Sequence, residues 1–191
     1  PALIAAELQT AHGRRGFARA ELHRWQEAAT DHAVQYRDSP EDLVQLLWHF
    51  QEQAVSDPAA NPRPGVSQAI AILEQLDKIL TKAGQPAVAG ISHWEVQTTL
   101  AWWLACGSTA TFQTGRAAVP LARQALAACG PDPRVRANVL DTLAAAQARA
   151  GEFPAAVKSI DEAIEINPGL TSDLEPRRAR YAAGEPWTDQ P

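Results

Sequence analysis

The sequence predicts an all-α fold of about four helical hairpins closed by one further helix, and three observations predict it. The first is the stretch Arg136–Leu170, in which two helical patterns of about 15 residues each meet at Gly151 and end at Asn167-Pro168-Gly169. Small residues, Ala144, Ala156 and Ala163, stand where two helix backbones must approach. The second is a recurrence of that pattern near residue 16. With Gly16 set on Ala144, the intervals to Trp25, Ala28 and Pro40 equal those from Ala144 to Phe153, Ala156 and Pro168. The third is the punctuation: apolar residues recur at spacings of 3, 4 and 7, and the stripes are broken by Pro- and Gly-containing segments at 56–65 and 84–91.

Taken in order, the hairpins are expected at about 3–37, 40–83, 92–129 and 133–167, with a capping helix and an extended segment over 170–191. In the first, His23 replaces the turn glycine and Gln35 replaces Ala163, so this copy is expected to pack less tightly, as end repeats do. The second opens at Ser39-Pro40-Glu41-Asp42, an N-cap serine, a proline at the first helical position and two acids in the first turn. Its first helix should reach about Val55 on the stripe Leu43, Leu46, Leu47 and Phe50. Its second should run from Val66 to Gly84 on Ala69, Ile72, Leu73, Leu76, Ile79 and Leu80. The third pairs Ser92–Cys106 with Gly115–Cys129 across a loop at 107–114, and Pro120, five residues into the latter, should shift its start or kink it. The last helix, Ser172–Ala183, carries Leu174 and Tyr181 two turns apart to cover the apolar side of the 153–167 helix, and Trp187 beyond it should fold back onto it or bind elsewhere.

The order Leu143-Ala144, Gly151, Phe153, Ala156, Ile160, Ala163 and Pro168 resembles the tetratricopeptide repeat. The wording R-G-x-x-x-A-E-L-x-x-W-x-x-A from Arg15 is similar to first repeats of such arrays. LAWWLACGSTATFQTGRAAVPLARQAL, followed by LDTLAAAQARAGEFPAAV, is similar to paired repeats of bacterial members, and so is the ending L-x-x-R-x-x-x-Y-x-A-G. The likeness covers about residues 5–55 and 92–187. It implies a short right-handed solenoid whose first helices line a concave groove. It also implies that the residue two places after the repeat leucine faces that groove, which puts Phe17, Trp48, Trp102 and Ala145 there. Packing of Trp48 and Trp102 between repeats is the competing expectation. Arg14, Arg15 and Arg19 form a basic edge, a solvated face on the plain reading; the resemblance implies that such residues can hold a partner's carboxylate.

A composition of 46% hydrophobic and 20% charged residues in a chain of 191 is that of a globular protein. A net charge of −5 argues against a nucleic-acid partner, whose phosphates require clustered cations. The longest apolar run, Leu100–Cys106, is far short of the roughly 20 residues of a membrane span. Cys106 and Cys129 end successive antiparallel helices, at opposite ends of a hairpin, so both thiols are expected to be free.

His12, His23, His32, His49 and His93 show no H-E-x-x-H spacing and read as surface or turn residues; no cofactor or metal is expected. Asp31 and Asp161 hold matched positions but read as solvated helix faces, because nothing apolar beside them raises a carboxyl pKa. The function expected is therefore non-enzymatic: a scaffold holding a peptide or protein partner in its groove, with Phe17, Trp48, Trp102, Arg15 and Arg19 as contacts. The alternative is a structural or regulatory subunit of a larger complex that docks through its edges or convex face.

Overall fold

Pro40 opens the first described helix, α1 (Pro40–Ser56), with Glu41 and Asp42 in its first turn, where acids meet the positive end of the helix dipole. The computed structural model describes residues 40–56, 66–107, 110 and 112–188, without the side chains of 49–56, 66–68 and 112. The hairpin expected at 3–37, with Phe17, Arg15 and Arg19, lies outside the described residues, as does the side chain of Phe50. The chain divides into two units, one ending at Gly90 and one starting at Ile91.

In the first unit α1 packs on α2 (Val66–Ala83). Leu43, Leu46 and Leu47 of α1 and Ala69, Ile72, Leu73, Leu76 and Leu80 of α2 are buried, the stripes that the 3, 4 and 7 spacing predicts. Gly84, at φ 62°, ends α2, and the amide of Gln85 donates back to the carbonyl of Leu80 at 3.1 Å, as a left-handed helix stop requires. The break expected at 85–91 holds two short strands, β1 (Ala87–Val88) and β2 (Ile91–Ser92). Ala89 and Gly90 between them both have positive φ, the backbone of a two-residue hairpin turn.

The second unit is a run of five helices. In α3 (His93–Cys106) the backbone N–H of Ser92 donates to the Glu95 carboxylate at 2.7 Å, which satisfies an orphan amide at the helix start. Opposite it lies α4 (Phe112–Ala128), held in part by a 2.9 Å hydrogen bond from Gln97 Nε2 to Gln124 Oε1. The sequence places the start of this helix at Gly115; the structure begins it three residues earlier, so Pro120 is an interior residue. Pro120 and Arg116, the residue four before it, are both exposed, so the missing backbone bond falls on the outer face of the helix.

Next comes α5 (Pro133–Arg149), capped by the Asp132 carboxylate, which accepts from the amides of Arg134 at 2.8 Å and Val135 at 3.4 Å. Every residue from Val139 to Ala148 is buried, because α3, α4 and α6 (Phe153–Ile166) surround this helix, and its alanines permit the close approach. Gly151, at φ 77°, turns the chain between α5 and α6, with the Glu152 amide donating to the Gln147 carbonyl at 2.8 Å. After a short 3-10 turn at Pro168–Leu170, α7 (Thr171–Ala182) packs on α6. Its Leu174 and Tyr181 join Leu140, Ala144, Ala156 and Ile160 in one core cluster, so they cover α5 as well as the α6 face expected from the sequence.

Neither cysteine forms a disulfide among the described residues, as expected, and both are buried, in different clusters: Cys106 packs with Leu143 and Ala118, Cys129 with Ala125 and Val139. Among the described residues, no helix is long and apolar enough to cross a membrane.

Candidate functional site

Three stripes of the second unit converge on the side shared by α3, α5 and α7. On α3 the stripe is Trp94, Thr98 and Trp102, one helical turn apart; on α5 it is Asp141, Ala145 and Arg149; on α7 it is Leu174, Arg177 and Tyr181. Toward the N-terminal halves of α3 and α5 the side is open. A cleft of about 280 Å³ lies there between Trp94, Glu95, Thr98 and Thr99 of α3 and Val135, Asn138 and Val139 of α5. Its walls offer an indole, two valine side chains, two hydroxyls, an amide and a carboxylate.

Toward the C-terminal halves the same side is filled. Arg177 and Asp141 form an ion pair whose side chains are 21% and 12% exposed, so much of the attraction is unscreened and neither charge tolerates loss of the other. The Arg177 guanidinium lies 5.0 Å from the centre of the Trp102 ring and 5.3 Å from that of Trp187, a cation held between two indole faces. Arg149 Nε donates to the Ala105 carbonyl at 2.6 Å and Nη2 to the Trp187 carbonyl at 2.7 Å, tying the last turn of α3 to the segment that follows α7. Burial, the largest influence, pulls the Arg149 pKa below its ordinary value, while the nearby Cys106 and Tyr181 act the other way. Arg180 stands 5.9 Å from the Trp187 ring centre and pairs with Glu185 at 3.4 Å.

Tyr181 is fully buried, and desolvation pushes its phenol far above the usual range. Its hydroxyl, Arg177 Nε and Trp187 Nε1 are buried and have no hydrogen-bond partner among the described residues. Guanidinium groups, indoles and a paired carboxylate are groups that can hold charges, carbonyls and ring faces.

No protein-family model, curated protein or solved structure matches the chain.

The described members of the expected contact set belong to different units. Trp48 is on α1 in the first unit and is 61% exposed; Trp102 is on α3 in the second, half-buried against the core. Ala145, expected to face an open groove, is instead 1% exposed, inside the cluster against which Trp102 and Trp187 pack. Asp161, Glu162 and Glu165 lie on an exposed face of α6, and Asp161 pairs there with Arg178.

Sequence reasoning missed Asp141, Arg149 and Arg177 as a group. A signal for them exists: Asp141 is a lone acid in an alanine-rich helix, and Arg177 sits three residues after one core position and four before another. A cation on a core stripe calls for a carboxylate from a neighbouring element.

Proposed function

We propose that the chain is a non-enzymatic interaction module of the tetratricopeptide type, its hairpins stacked as a short right-handed solenoid that receives a peptide or protein partner on the side formed by α3, α5 and α7. In such a solenoid that side is the concave one. The observation that carries the reading is the cleft between Trp94, Thr98 and Asn138, formed by the first helices of two successive hairpins. Purification of the full chain with its bound proteins, repeated with Thr98→Arg and Asn138→Trp, tests it. Both substitutions fill the cleft from partly or fully exposed positions. A partner lost from both variants at unchanged melting temperature supports the reading; a partner retained by both overturns it.

The exposed Trp48 favours a second reading, a subunit of a larger assembly that docks through another surface. A stoichiometric partner that survives purification and is released by Trp48→Ala, while indifferent to the cleft variants, selects that alternative.

A further inference from the structure

The segment Glu185–Thr188 lies on the α3, α5 and α7 side in the manner of a bound peptide. Arg149 holds its main chain through the Trp187 carbonyl at 2.7 Å, Arg177 and Arg180 lie over the Trp187 ring, and Arg180 takes the Glu185 carboxylate at 3.4 Å. The Trp187 ring packs against core clusters that include Leu143 and Ala146 of α5 and Tyr181 of α7. The segment leaves α7 through that helix's C-terminal cap, where the Glu185 amide donates to the Arg180 carbonyl at 2.9 Å, and its further contacts are made by side chains rather than by a backbone ladder. A main-chain anchor, a side-chain socket and a flanking charge pair are the elements by which grooves read extended segments. With the segment set aside, the seat presents Arg149, Arg177 and Arg180 against Asp141, a local cationic excess in a chain whose net charge is −5.

We infer that this seat is a binding site for an extended acidic segment bearing a tryptophan, of the form Glu-Pro-Trp, supplied by a partner protein, and that residues 185–188 occupy it in cis as a competitor. The inference rests on the reading of this side as a receiver of extended chain. The cleft variants test that reading without touching the Trp187 seat, so the two fail separately. A tethered segment competes at an effective concentration on the order of 1 mM, so a free peptide with an intrinsic Kd of about 0.1 mM binds about tenfold more weakly to the closed form.

The probe is a dye-labelled hexapeptide, Gly-Glu-Pro-Trp-Thr-Asp, matching residues 184–189, titrated into the full chain by fluorescence anisotropy. Trp187→Ala should bind it about tenfold more tightly than the unsubstituted chain. Adding Arg149→Ala to Trp187→Ala, or replacing the peptide's tryptophan by alanine, should remove the gain. A folded Trp187→Ala chain that binds no better than the unsubstituted one overturns the proposal. Should Trp187→Ala lower the melting temperature below the assay range, Glu185→Lys decides. It keeps the indole but turns the pair with Arg180 into a repulsion, and a severalfold gain supports the proposal while an unchanged affinity overturns it. Concentration-dependent dimers of the unsubstituted chain that dissociate on adding the hexapeptide would show the seat filled by a second copy, which overturns occupancy in cis.

Discussion

Tyr181 shows how one atom can be a cost inside a favourable burial. Its ring is fully buried among Leu140, Ala144, Ile160 and Leu174, while its hydroxyl has no hydrogen-bond partner among the described residues. Tyr181→Phe should therefore change stability by less than about 1 kcal/mol at neutral pH, because it removes a desolvated group and keeps the ring. Tyr181→Ala should cost about 3–5 kcal/mol, the range for losing a buried aromatic. The raised phenol pKa fixes the pH dependence. The folded state favours the neutral form, so this contribution is whole below the unfolded pKa of about 10 and is lost as pH rises from there toward the folded value. Denaturant melts between pH 7 and 11 should show a steeper alkaline decline for the unsubstituted chain than for Tyr181→Phe. Equal slopes would mean that the phenol is not desolvated, and a loss above about 2 kcal/mol in Tyr181→Phe at pH 7 would mean that the hydroxyl is bonded.

Between elements, α4 approaches the end of α5 closely at Gly115. A Cβ built there stands 2.6 Å from Arg149 Cγ, 2.7 Å from the Arg149 carbonyl carbon and 2.8 Å from the Ala150 nitrogen. Two of those atoms are backbone, which a side-chain rotation cannot clear, so Gly115→Ala should destabilise by about 1–3 kcal/mol, read from urea unfolding. An unchanged midpoint would place α4 farther from α5 than described. Removal of residues 171–191 tests another junction: it uncovers Leu140, Ala144 and Ile160 and should lower the melting temperature and promote aggregation. A monomeric, equally stable truncation would show that α7 covers nothing essential. These helices were largely legible in the sequence, since Leu43, Leu73, Leu140 and Ile160 repeat at helical spacing and Gly84 and Gly151 mark the stops. The start of α4 was not: Gly115 reads locally as a helix boundary, whereas its lack of a side chain serves contact with α5, which only the tertiary arrangement reveals.

At the scale of the molecule, the sequence pointed to the tryptophans but could not say which were wet. Register alone gave Trp48 and Trp102 equivalent positions. Burial divides them, because the cover over Trp102 comes from Arg177, far along the chain, while Trp48 is exposed on its own helix. Long-range cover of this kind leaves no local periodicity to read. The two truncations should therefore diverge. Trp48→Ala should alter stability by no more than about 0.5 kcal/mol, as for other surface sites. Trp102→Ala should cost about 1–3 kcal/mol, less than a fully buried indole, since it loses core packing and the stack with Arg177 but keeps the Arg177–Asp141 pair. If Trp48 is a docking residue, its truncation should still weaken partner binding by about 1–3 kcal/mol, a hot-spot effect without a folding effect. Parallel urea melts and binding titrations of the two variants decide. Equal losses of stability in both would return Trp48 to a packed position and remove the basis for docking through α1.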